Sequence, residues 1–173
     1  ELNEIKLILD PFKFKIQAKT IGTNLKNQSK KIEIENIKTQ LSLKSVIEDK
    51  FSVENLEISS KSLELKNLIS FLRSFKNTPE LFIMEKAIKK GYLIADIKLE
   101  FDSNGNIESN YEINGLVKDV ELNVLKKYNL HKLDFIFDYS RNNFLVKDLN
   151  FKFDEIGFSS EKVSIKKRND DFI

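Results

Sequence analysis

Residues 91–122 read GYLIADIKLEFDSNGNIESNYEINGLVKDVEL. Leu93, Ala95, Ile97, Leu99 and Phe101 fall at every second position, with Asp96, Lys98 and Glu100 between the later ones. A period of two sends these apolar side chains to one face of an extended chain and the charged ones to the other, the signature of a half-buried strand. Asn104-Gly105 follows, where a tight turn wants residues that tolerate positive φ. The stretch predicts an antiparallel hairpin between 92–101 and 107–117.

The same alternation recurs on either side. Phe12, Phe14, Ile16 and Ala18 form one set, Ile32 and Ile34 another, and Leu133, Phe135, Phe137 and Tyr139 a third, with Lys, Glu and Asp between them facing water. A second hairpin is predicted around Arg141-Asn142-Asn143, which makes the second half of the chain a meander of up-and-down strands.

FSVENLEI at 51–58 breaks the rule and then resumes it. An extra residue should throw every later side chain onto the wrong face. Apolar residues at i, i+2, i+5 and i+7 around a polar pair also occur in LILDPFKF from Leu7, YNLHKLDF from Tyr128, FLVKDLNF from Phe144 and FKFDEIGF from Phe151, and in a near form in IEIENIKT from Ile32. Chance would give roughly 1.5 such matches at this composition. The physical reading is a bend or bulge at each polar pair, which returns later apolar residues to the same face and curves the sheet. Asp10-Pro11 fits best, because proline cannot donate to a ladder.

Residues 66–90 differ. LKNLISFLRSF places Leu68, Ile69, Phe71, Leu72 and Phe75 at helical spacing. A second helix is punctuated by Thr78 as N-cap, Pro79 at the first helical position, Glu80 in the first turn, Lys89 and Lys90 in the last, and Gly91 as terminator. The apolar face of this insert should close one end of the sheet or cover part of its inner face; a helix lying on a membrane surface through Lys76, Lys86, Lys89 and Lys90 is the rival. The fold class expected is therefore mainly β with a small helical insert at about 66–90, a curved antiparallel meander sheet forming an open groove, with a closed β-sandwich as the alternative. Residues 1–173 read as a single segment of a longer protein, with any anchor or signal upstream.

Composition narrows the chemistry. The chain is 40% apolar with 14 Phe, enough to line a core or a groove. Its net charge is only +2, with both signs interspersed, which argues against a phosphate-tracking nucleic-acid surface. There is no Cys, so disulfides, thiolate metal sites and a cysteine nucleophile are excluded. No run free of charge exceeds six residues, far short of the ~20 that span a bilayer. The single histidine, His131, stands beside Lys132 and reads as a solvated residue, so a histidine-based catalytic pair cannot be built. Asp102-Ser103-Asn104-Gly105-Asn106 has the oxygen donors of a calcium loop, but its glycine is misplaced and the twelfth position is Ile113, so it reads as a turn. Only five Gly are present and no phosphate-cradling loop appears. An enzyme is not expected, nor is a metal or any other cofactor.

PFKFKIQ at 11–17, IEIENIKTQLSL at 32–43, FSVENLEISS at 51–60 and above all the 91–122 stretch, with its strand, glycine turn, strand and GLVKD progression, resemble the AsmA-like bacterial envelope proteins, the group containing AsmA, TamB and YhdP. The resemblance implies a long β-groove between the inner and outer membranes whose apolar face carries phospholipid acyl chains. It implies a periplasmic location, an inner-membrane anchor upstream, neighbouring repeats of the same chain as partners, and membrane contact through parts outside this segment. On that reading Phe14, Ile16, Ile34, Phe51, Val53, Ile97, Leu99, Phe135, Phe137, Phe151 and Phe153 form the lipid-contacting groove face. The alternative for these residues is an ordinary self-filled core. The alternative for the chain is a structural or protein-interaction β domain whose open sheet edges pair with neighbouring repeats.

Overall fold

The alternating segments form strands, most of them 13 residues long. The computed structural model describes residues 4–124, 127–141, 143–168 and 171–172. In chain order the elements are β1 (Glu4–Asp10), β2 (Lys15–Asn27), β3 (Lys30–Ser42), α1 (Leu43–Ile47), β4 (Val53–Ser60), β5 (Leu63–Glu64), α2 (Leu65–Arg73), α3 (Pro79–Ala87), β6 (Ile88–Glu100), β7 (Glu112–Val124), β8 (Tyr128–Ser140), β9 (Asn143–Phe153), β10 (Ile156–Arg168) and β11 (Asp171–Phe172). They make one antiparallel meander in the order β1-β2-β3-β4-β6-β7-β8-β9-β10-β11, with the short β5 pairing β6. The sheet is curved and not closed into a barrel.

The 91–122 hairpin is present, with a shorter second arm than expected. Residues 92–98 of β6 pair with 112–118 of β7. Beyond them only Phe101 and Ile107 bridge, so 108–111 belong to the loop. At the tip Gly105 takes φ +83 and carries the Phe51 ring against its Cα. Asp102 holds the turn together, its Oδ1 accepting from the Asn104 and Asn106 backbone N–H groups at 2.8 and 2.9 Å. The second hairpin joins Ser140 to Asn143; Asn142 lies outside the described residues.

The repeated spacing has two structural origins. In FSVENLEI the β3–β4 register shifts at the polar pair, so Val53, Leu56 and Ile58 all pair with inward residues of β3, namely Leu41, Thr39 and Ile37. IEIENIKT kinks at Glu35-Asn36, YNLHKLDF at His131-Lys132 and FLVKDLNF at Lys147-Asp148, each beside a register shift. Lys132 and Asp148 take positive φ there. FKFDEIGF and LILDPFKF are different, and here the expected bulge is corrected to a turn. Phe153 pairs directly with Ile156 across a two-residue turn, and Leu9 pairs with Ile16 across the Pro11–Phe14 loop. A two-residue hairpin also leaves its flanking residues on one face, so the spacing cannot separate a kinked strand from a tight turn.

Of the helical insert, α2 and the start of α3 fall where expected. Thr78 accepts the Leu81 N–H as N-cap, with Pro79 at the first helical position. The end of α3 is corrected: it stops at Ala87, and Lys89, Lys90 and Gly91 open β6. Gly91 has φ +137, and a Cβ there would stand 2.7 Å from Val120 Cγ2, so glycine serves close strand packing and not a helix end. Helix α1, capped by Ser42, was not foreseen; five residues are too few to show helical periodicity.

Helix α2 packs on β3 and β6 at one end of the inner face. Its Phe71 joins Ile32 and Ile34 in the core, with Leu25, Ile37, Ile58, Leu63 and Leu68 packed around them. Most of the other fully buried apolar residues, such as Ile69, Ile88 and Val120, gather at the same helical end.

Candidate apolar groove

Register assigns every strand's residues to one of two faces. Across the middle of the sheet Val53, Leu56 and Ile58 of β4 follow Leu41, Thr39 and Ile37 of β3. Leu99 and Ile97 of β6 stand beside Leu56 and Ile58, and Ile113 of β7 beside Ile97. Phe137 and Phe135 of β8 flank Gly115 and Val117, Val146 and Phe144 of β9 follow, and Phe151 and Phe153 face Phe158 and Ile156 of β10. One apolar face therefore runs without a charged side chain from β3 to β10. At its β1 margin it continues through Ile5, Leu7 and Leu9 opposite Thr20, Ala18 and Ile16.

Charges occupy the other face. Lys15 bonds Glu54 at 2.8 Å, Lys90 bonds Glu121 at 3.0 Å and Lys147 bonds Asp138 at 2.7 Å. Such exposed pairs contribute about 0–1 kcal/mol each, so they keep the outer face soluble more than they hold the fold. The Glu121 carboxylate, through its hydrogen bond, pushes the Lys90 ammonium above its ordinary pKa.

Away from the helical end, the inner face is neither buried nor fully open. Val53, Ile97, Leu99, Phe135 and Phe137 are half-buried, whereas Leu7, Leu9 and Ile156 are about 60% exposed (68%, 59% and 62%). A closed sandwich would bury central positions of both sheets completely; here a single sheet, not closed into a barrel, leaves them half-buried, with α2 packed on β3 and β6. Aromatic residues concentrate on the β8–β10 side, where Phe151 stacks on Phe158 at 5.0 Å and Tyr128 on Phe153 at 5.6 Å. The β2–β4 side is aliphatic with interspersed hydroxyls, among them the buried pair Thr20 and Thr23, whose oxygens lie 3.0 Å apart. At the loop end of β8 the Tyr139 hydroxyl meets that of Tyr111 at 3.4 Å, and this contact raises the Tyr111 pKa.

Nine of the eleven expected groove residues lie on this face. Ile34 among them is in the core beneath α2, 4% exposed, and so is covered by protein. Phe14 and Phe51 lie outside the paired strands. Phe14 sits in the β1–β2 loop at φ +52 and is 64% exposed. Phe51 precedes β4 and packs on Phe101 and Gly105 outside the ladder. Outside the ladder alternation no longer reports a face.

Ile37, Leu41, Leu56, Ile58, Ile113, Val117, Phe144, Val146, Ile156 and Phe158 also stand on the face, beyond the expected set. In β7 the kinked spacing is present as Gly115, Val117, Val120 and Leu122 around Lys118-Asp119, hidden because the first position is glycine. Among the described residues there is no cluster of His, Cys, Asp and Glu that could hold a metal, and no helix long and apolar enough to cross a membrane. No protein family, curated protein or solved structure matches the chain.

Proposed function

We propose that this chain is a segment of a lipid-transfer protein of the bacterial envelope, of the AsmA-like kind its motifs resemble, and that its inner face holds phospholipid acyl chains. The observation that carries the reading is the uncharged, half-exposed inner face running from β3 to β10 in a single sheet that is not closed into a barrel. Apolar area of this kind gains about 25 cal/mol per Å² when removed from water. A 13-residue strand extends about 43 Å, ample for an acyl chain that reaches across one leaflet of about 15 Å. The proposed role is to bind and shield.

The test is lipid retention by purified protein in native mass spectrometry, compared with Ile97→Lys and Phe135→Glu. In an open groove a charged head at either position reaches water, so both variants keep their strand circular dichroism and lose lipid. Unfolding of both, together with lipid-free wild-type protein, would defeat the reading, because an unpaired charge destroys a closed core.

A second reading has its own observation. Strand β1 is an edge of the sheet, and its Ile5, Leu7, Leu9 and Ile8 are all more than half exposed, on both faces. That is the composition of an interior strand. A neighbouring strand added to β1 would extend the apolar face, which is how a structural or protein-interaction domain would use it. Concentration-dependent self-association abolished by Leu7→Lys would favour this use.

A further inference from the structure

Helix α3 leaves much of its apolar surface outside the fold. Its carboxylate Glu85 points into the fold and bonds Arg73, while Phe82, Ile83 and Met84 face solvent at 46%, 64% and 45% exposure. None of its residues is buried. Leu72 and Phe75, at the end of α2, are exposed as well, at 42% and 66%. The inward row of α3 is Leu81, Glu85 and Ile88, and Phe82 and Ile83 lie outside that row.

The segment that carries this patch is locally basic. Between Leu65 and Gly91 stand Lys66, Arg73, Lys76, Lys86, Lys89 and Lys90 against Glu80 and Glu85, in a chain whose total is only +2. Lys66, Lys76, Lys86 and Lys89 are exposed. Arg73 and Lys86 lie 5.0 and 5.6 Å from the centre of the Phe82 ring, which keeps positive charge beside the apolar side chains.

We infer that the α2–α3 cap docks on an anionic lipid bilayer, with Phe82 and Ile83 entering the interface and Lys76 and Lys86 against the headgroups. Apolar and aromatic side chains rimmed by lysine are the composition that partitions into such an interface, and a basic surrounding selects anionic lipid over zwitterionic. A protein partner would meet the same apolar residues but would give no reason for the excess of lysine in this segment. The inference rests on the lipid reading of the groove for what docking delivers, since α2 covers one end of the inner face. The two fail separately: docking is read on vesicles, groove occupancy on lipid retained without them.

The chain has no Trp, so Ile83→Trp supplies a single fluorescent reporter at an exposed position. Its emission should shift to the blue with phosphatidylcholine–phosphatidylglycerol vesicles and be quenched by brominated acyl chains. It should not change with phosphatidylcholine alone, and high salt should reverse it. Lys76→Glu and Lys86→Glu, each added to this reporter, should weaken binding at least about five-fold. Ile83→Glu should abolish co-sedimentation of the otherwise unaltered chain with vesicles while its circular dichroism stays unchanged. Three results would overturn the inference: an emission indifferent to anionic vesicles, an equal shift on both vesicle types, or a blue shift that grows with protein concentration in the absence of lipid, which would give the patch to a second copy.

Discussion

The Phe137 ring lies over Gly115 on the neighbouring strand. A Cβ built on Gly115 would fall 2.7 Å from Phe137 Cε1 and Cζ and 2.5 Å from the Ile94 carbonyl oxygen. Glycine here opens the space that the aromatic ring fills, a cross-strand arrangement that also bends the sheet. Because one of the two obstacles is backbone, the site cannot relax by rotating a side chain. Gly115→Ala should cost about 1–3 kcal/mol in chemical denaturation, whereas Gly157→Ala, with nothing within 4 Å, should stay within about 0.5 kcal/mol of wild type. Equal effects at the two glycines would contradict the packing described.

The buried hydroxyls of Thr20 and Thr23 bond each other at 3.0 Å, and Thr23 is 1% exposed. Replacing one by valine strands the other, at about 1–3 kcal/mol. Replacing both removes donor and acceptor together at nearly constant shape. The double variant should therefore be less destabilised than the sum of the singles, by at least about 0.5 kcal/mol in a thermodynamic cycle; additivity would show that the hydroxyls act independently.

Kinks carry a local cost that their hydrogen bonds offset. Asp119, at φ +52 in β7, gives its N–H to Asp134 Oδ1 on β8 at 2.6 Å. Asp134→Ala should destabilise the sheet by about 1–2 kcal/mol, since that N–H has left the ladder. Lys132 occupies the same left-handed region without a short polar side chain to favour it. Lys132→Gly should thus be neutral or stabilising by up to about 1 kcal/mol. A marked loss of stability would mean that Lys132 is held by contacts beyond its backbone angle.

Asp102 gives the β6–β7 turn a pH dependence. Hydrogen bonds from the Asn106 side chain and then its backbone hold the carboxyl below the usual range. A carboxyl lowered in the folded state stabilises above its unfolded pKa of about 3.9 and loses that contribution as pH falls through the lowered folded value. Amide protection at Asn104 and Asn106 should be constant from neutrality to about pH 4 and decline below it. Asp102→Asn should remove this acid step, and an unchanged step in the variant would place the titrating group elsewhere.

The eleven expected groove residues divide by what a one-dimensional pattern can carry. Ile16, Val53, Ile97, Leu99, Phe135, Phe137, Phe151 and Phe153 sit within strands and were legible, because side-chain direction there follows position alone. Phe14 and Phe51 sit where the chain turns, so parity no longer reports a face. Ile34 was assigned to the right face, but only packing of Phe71 against it reveals that it is covered. Helix α3 shows the limit most plainly: its N-cap is readable from Thr78-Pro79, yet a carboxylate, Glu85, stands in its inward row with Leu81 and Ile88, because Arg73 on α2 is there to receive it.

The amino-acid order by itself determined the strands, the two main hairpins and the return of apolar residues to a single face after each polar pair, since all of these depend on period and turn chemistry within a few neighbouring residues. Tertiary structure alone decided whether a polar pair became a kink or a turn, because both obey the same spacing and differ only in which strand lies alongside. It also decided that the sheet remains open and that the helical cap covers one end while turning Phe82 and Ile83 outward. Those outcomes depend on contacts such as Phe71 with Ile32 and Arg73 with Glu85, made by residues far apart or on separate elements, which no local pattern contains.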